Sequence, residues 1–234
     1  MNFKAIAAEL VGTFGFVFLV VGILVVDSSP AAKLGIGLLG VSFAQGAALA
    51  AMIGATLVAS GGHLNPAVSI AAWVTNRLGF MNMIGYVIAQ IVGSLLALRA
   101  LWLVWPRPEM SLAGALDGVP EPGMGADVFP NVFAAEAFGT ALLMLVIMGS
   151  IMDKRAPRIG AIKVGLVLFA LILAFGPISG GSFNPARYLG PALYGGVTAL
   201  WITYVFGPIL GASIAALVYQ YVMGGRDDRV VVTD

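Results

Sequence analysis

Ser60-Gly-Gly-His-Leu-Asn-Pro-Ala-Val68 and Ser179-Gly-Gly-Ser-Phe-Asn-Pro-Ala-Arg187 are two copies of one phrase, each followed by a short apolar stretch. An Asn-Pro step favours a turn that opens a helix, because Pro supplies a helical φ and has no amide proton to leave unpaired at the first position. The apolar stretches that follow, 65–75 and 184–194, are about half the ~18 residues needed to cross a bilayer. Each is therefore a half-helix entered from a loop. At membrane depth such a loop survives only when buried in protein or lining a wet cavity, since an unsatisfied peptide group in hydrocarbon costs several kcal/mol.

The rest of the chain puts these loops in a membrane. Of 234 residues, 60% are hydrophobic and only 10% charged, whereas in a soluble domain about a quarter are charged. Apolar stretches of spanning length run over 5–26, 35–58, 81–104, 131–152, 159–178 and 197–222. The expected fold is an all-α membrane protein of six transmembrane helices plus two half-membrane re-entrant helices. The first stretch is too long for the core of a signal peptide and reads as a span. A net charge of +1 without a basic run argues against nucleic acid as a partner. With no cysteine in the chain, disulfides, thiolate metal sites and sensitivity to thiol-directed mercurials are excluded.

The duplication extends beyond the two loops. Ala7-Ala-Glu9-Leu-Val-Gly12-Thr13 recurs as Ala134-Ala-Glu136-Ala-Phe-Gly139-Thr140, and Tyr86 to Gly93 aligns with Tyr204 to Gly211. Each unit holds three spans and one half-span, and an odd number of spans sends the second copy into the membrane upside down. The repeats are 1–104 and 130–234, one pore domain in all, joined by an external, irregular linker over 105–129 that carries Arg107, Glu109, Asp117, Glu121 and Asp127. Lys4, Arg77, Lys154, Arg155, Arg158, Lys163, Arg226 and Arg229 fall on one side of this arrangement, against Lys33 and Arg107 on the other. By the positive-inside rule both termini are cytoplasmic, in a multi-pass protein of the cell (inner or plasma) membrane. Gly46 with Ala47 and Ala50, and Gly207 with Gly211 and Ala212, are small residues that let helices approach.

The chemistry is expected at the loops 59–64 and 179–183. Gly61, Gly62 and Gly180 and Gly181 permit an extended backbone, so that the segments carrying His63 and Ser182 offer carbonyl acceptors to a polar solute. The half-helix N-termini bring positive dipole ends together, roughly half a unit charge each. Asn65 and Asn184 each present an amide donor there; two donors on one oxygen orient its hydrogens outward and break a proton wire. As plain N-caps the two Asn residues would not account for the repeat of the flanking sequence. His63, the single histidine, has no second ligand near it in sequence and is read as a hydrogen-bonding residue rather than a metal ligand. Neither a metal nor a cofactor is implied. Arg99 is read as snorkelling to the interface.

Six spans, the paired motifs Asn65-Pro66-Ala67 and Asn184-Pro185-Ala186, the extension of the second to Arg187, and Glu9 and Glu136 together resemble the aquaporin (major intrinsic protein) family over essentially the whole chain. The resemblance implies a passive water channel that excludes ions and protons by an Arg and half-helix dipoles, assembled as a homotetramer with one pore per subunit. It places Arg187 at the external constriction and Glu9 and Glu136 as braces of the loops, in preference to a proton relay. Distance from the two motifs places Gln45, Ile172 and Gly181 beside Arg187 as the selectivity filter. Phe43 lies two residues from Gln45, roughly 200° around the helix, and a shift of register would bring that aromatic in instead.

Here the chain departs from the strict water-channel pattern, in which an aromatic residue stands at the position of Gln45 and a His at that of Ile172. The opening is then wider with one apolar wall, which admits glycerol, urea, hydrogen peroxide or uncharged metalloid acids as alternatives to water. Against a glycerol facilitator, Tyr188 follows Arg187 where such relatives carry Asp, and Ala192 matches the water-channel branch. A secondary transporter would also use inverted repeats and broken helices, but its coupling site would fall to Glu9 and Glu136. An enzyme would need a nucleophile, base and metal set that the sequence does not supply.

Overall fold

A computed structural model describes residues 1–29, 35–105, 119–156 and 159–224. Lys33, Arg107, Glu109, Asp117, Arg158, Arg226 and Arg229, and most of the linker, lie outside the described residues. The six spans are α1 (Phe3–Ser28), α2 (Gly37–Ser60), α4 (Phe80–Val104), α5 (Val128–Met152), α6 (Gly160–Ser179) and α8 (Trp201–Met223), with mean hydropathies of 1.7 to 2.5. At 1.5 Å per residue the shortest of them covers roughly the 30 Å hydrocarbon core. Between them stand the half-helices α3 (Pro66–Val74) and α7 (Pro185–Gly195). No strand occurs among the described residues.

Helix ends follow local chemistry. Asn2 caps α1 by accepting from the Ala5 amide at 3.1 Å, and α2 and α6 stop at Gly61 and Gly180, whose left-handed φ of 87° and 72° suits a residue without Cβ. The last turns of α5 and α8 widen to i→i+5 bonds, from the Asp153 amide to Met148 and from Gly224 to Tyr219.

Within each half the first span packs on the third, α1 on α4 and α5 on α8. Glycines set both contacts: a Cβ on Gly93 would run into the Leu10 carbonyl, and one on Gly211 into that of Ala137. The halves join along α2 and α6, where Gly46 and Gly165 each face the other's carbonyl, and each half-helix packs on the opposite half, α3 on α8 and α4 on α7. Large apolar side chains such as Ile88, Phe138, Leu166 and Ile214 point outward, as lipid-facing residues must. Arg99 lies over the Trp102 ring on α4, 4.6 Å from its centroid. The described end of the linker lies against the second loop, with the Gly123 amide bonded to the Ile178 carbonyl at 3.0 Å.

Candidate functional site

Each loop is organised by one buried carboxylate. Glu9 accepts from the Ser60 hydroxyl at 2.6 Å and the His63 amide at 2.9 Å on one oxygen, and from the Leu64 amide and the Gln90 side chain, both at 2.7 Å, on the other. Glu136 repeats the pattern with Ser179 at 2.8 Å, the Ser182 amide at 3.0 Å and the Phe183 amide at 2.7 Å. Tyr86 and Tyr204 clamp the preceding turns by donating to the carbonyls of Ser60 and Ser179, at 2.8 and 2.7 Å. Glutamate can do this because an ionised carboxylate offers about four acceptor sites and no donor. Among the described residues no group of three His, Cys, Asp or Glu is placed to hold a metal.

The loops are not the extended segments expected from their Gly-Gly pairs. Gly61 and Gly62, and Gly180 and Gly181, all have positive φ, and so do Leu64 at 49° and Phe183 at 51°. Left-handed backbone costs a residue with a Cβ about 1–2 kcal/mol, so something must hold Leu64 and Phe183 there. Their amides go to Glu9 and Glu136, and their side chains fill the space over Gly12 and Gly139. Their carbonyls accept from the opposite asparagines: Asn184 Nδ2 to Leu64 at 2.8 Å, and Asn65 Nδ2 to Phe183 at 2.9 Å.

Asn65 and Asn184 are therefore caps and cross-links at once. Their Oδ1 atoms accept from the amides of Ala67 and Ala186 at 2.9 Å, with Pro66 and Pro185 at the first helical positions. An amide nitrogen carries two protons, and the cross-link uses one. Both asparagines line a cavity of about 10 Å³ whose wall is mostly apolar, including Val68, Leu143 and Leu168, with His63 and Ser182 among its polar members. That is about the space of a single water molecule.

Sequence reasoning overlooked the roles of Leu64, Phe183, Ser69 and Gln90. His63 Nδ1 lies 3.1 Å from the Ser69 hydroxyl, which also receives a bond from Gln90 at 3.0 Å, and the imidazole stands edge-on to Tyr86. Gln90 has Pro208 at its matching position in the second half, so comparison of the repeats did not reveal it. Tyr86 and Tyr204 were visible there, but without a role.

Of the four expected filter residues, Ile172 and Gly181 are neighbours: a Cβ on Gly181 would sit 3.3 Å from the Ile172 side chain. Gln45 is 2% exposed while Phe43 is 60% exposed and stands edge-on to Phe169. The register thus keeps Gln45 inside and Phe43 out. Arg187, 2% exposed in the first turn of α7, lies within electrostatic reach of Glu136.

The major intrinsic protein family model matches residues 1–219. The chain belongs to the major intrinsic protein family. It is 38% identical to aquaporin AqpM of Methanothermobacter thermautotrophicus, over 93% of this chain and 96% of that protein. It is 34% identical to aquaporin Z of Photorhabdus laumondii, over 92% and 97%. Its fold is similar to that of the aquaglyceroporin from Plasmodium falciparum, with a TM-score of 0.81 at 20% identity, covering 95% and 97% of the two chains. A member of this family is a multi-pass membrane channel, and the six spans and two half-helices are the elements that build it.

Proposed function

We propose that the chain is a passive water channel that excludes ions and protons. The observation that carries this reading is the cavity of about 10 Å³ between Asn65 and Asn184, which has room for one water and little for a polyol. A mostly apolar wall holds such a water loosely, while the free proton of each asparagine amide gives it two donors at one place. An oxygen so engaged turns its own hydrogens away, and the dipoles of α3 and α7 disfavour a cation there. Selectivity falls to Arg187 with Gln45, Ile172 and Gly181, the loops 61–63 and 180–182 supply polar backbone along the path, and Glu9 and Glu136 brace them.

A second reading, a facilitator of small neutral solutes such as glycerol, urea, hydrogen peroxide or metalloid acids, is favoured by Ile172 beside Gly181, which give the filter an apolar, side-chain-poor wall. No enzymatic activity is assigned. Both termini are placed in the cytoplasm, repeats 1–104 and 130–234 share one pore, and the assembly is a homotetramer in the cell membrane. Stopped-flow light scattering on proteoliposomes after an osmotic step tests the reading. Shrinkage well above that of empty liposomes is expected with sucrose as osmolyte, and with glycerol little re-swelling should follow. Shrinkage no faster than empty vesicles refutes a water channel, and rapid re-swelling moves the chain to the second reading.

A further inference from the structure

At the end of the first loop opposite the filter, Leu57, Gly61, His63, Arg77, Asp153 and Lys154 are among the residues around a pocket of about 530 Å³. Such a volume lies within the ~300–1,000 Å³ usual for small-molecule sites, far above that of the narrow centre. The Arg77 guanidinium uses Nη1 to donate to the Met152 carbonyl at 3.0 Å. Its Nε and Nη2 are covered and have no acceptor, so an oxyanion in the pocket meets them once the guanidinium turns out into it. That pair is the edge with which arginine grips two oxygens of a phosphate or carboxylate at once. A covered donor pair without acceptors is costly, which favours that turn when a ligand in the pocket supplies the oxygens.

The charge balance favours an anion. Asp153 is engaged by the Arg155 amide, by its guanidinium and by the Tyr219 hydroxyl, so its negative charge is already answered. Arg77 and the exposed Lys154 then give the pocket a positive excess. Gly61 and His63 belong to the pore loop itself, so a molecule seated here stands in the mouth of the channel.

The geometry points to a phosphate-type oxyanion site at this mouth, held by Arg77 and Lys154, whose occupancy obstructs the pore. Only the obstruction rests on the water-channel reading; the binding does not. The oxyanion is a soluble phosphate or phosphomonoester, or the headgroup of an anionic lipid.

Inorganic phosphate is the probe. Detergent-purified protein should gain thermal stability saturably with phosphate against chloride at matched ionic strength. Arg77→Gln should weaken that binding about ten-fold or more, and Lys154→Gln, at an exposed position that tolerates change, should weaken it less. In proteoliposomes of phosphatidylcholine, phosphate on both sides should slow osmotic shrinkage saturably, and the effect should be lost in Arg77→Gln. Slow shrinkage in phosphatidylglycerol vesicles without phosphate, relieved by Arg77→Gln, assigns the site to a lipid headgroup. Phosphate binding by a protein that passes no water overturns the water reading and leaves the site standing. The site itself is overturned if neither phosphate nor phosphatidylglycerol has any effect beyond chloride, or if both variants bind phosphate like the parent.

Discussion

Leu64 and Phe183 carry the tightest set of constraints in the molecule, with amide, carbonyl and side chain each fixed by a different element. The carboxylates are what make these strained conformations tolerable, because they reward the amides for pointing inward. Glu136→Gln keeps the size but turns one acceptor into an NH₂ that faces the amide of Phe183 or Ser182. Losing one charge-assisted bond and leaving a buried donor unmet should cost about 3 kcal/mol. The expected outcome is a lower thermal transition in detergent and slower water flow, whereas an unchanged transition would show that Glu136 braces nothing. The carboxylates and asparagines were legible in the sequence because they recur in both halves with their neighbours. The left-handed φ of Leu64 and Phe183 was not, since neither residue type signals it and the Gly-Gly pairs suggested extension. Gln90 was hidden for the opposite reason, having only Pro208 as its counterpart.

Elements were read more faithfully than residues, because a bilayer permits few alternatives to a closed helix. The spans lie within a few residues of their expected bounds, differing most at α8, which starts at Trp201 rather than 197. What the sequence could not rank was its many glycines, since composition does not say which of them face another backbone. Gly93→Ala would drive a Cβ into the Leu10 carbonyl, while one at Gly54 meets nothing within 4 Å. The first change should cost about 1–3 kcal/mol by overpacking. Gly54→Ala should be neutral or stabilise α2 by up to about 1 kcal/mol. Paired thermal melts decide this, and equal behaviour of the two variants would refute the close α1 and α4 contact. At the end of α5, the Arg155 side chain first, with the Arg155 amide and the Tyr219 hydroxyl, holds the Asp153 carboxyl below its ordinary value of 3.8. Its folded value being depressed, the stabilisation is full above the unfolded value and fades as pH falls through the folded one. Asp153→Asn should therefore lose under about 1 kcal/mol near neutrality, given the exposed Arg155. The gap from the parent should be constant above about pH 5 and narrow progressively as pH falls below about 4, which melts between pH 2 and pH 7 will read.

At the scale of the whole molecule, the repeat that could have served a transporter is tied shut at its centre. Alternating access moves one repeat against the other around a midplane site. Here the bonds from Asn65 to the Phe183 carbonyl and from Asn184 to the Leu64 carbonyl run between the two halves where the half-helices begin. Rocking would break two buried bonds at once and strand four polar groups where each unsatisfied one costs several kcal/mol. The close contact of Gly46 with Gly165 adds a second seam without room for sliding. A fixed pore, in contrast, needs no such movement. Water flux should then rise linearly with the osmotic gradient, be the same in both directions at equal gradient, and be indifferent to a protonophore. Flux that saturates, or that falls when the proton gradient is collapsed, would mean that the two halves do move, and that Glu9 and Glu136 do more than hold the loops.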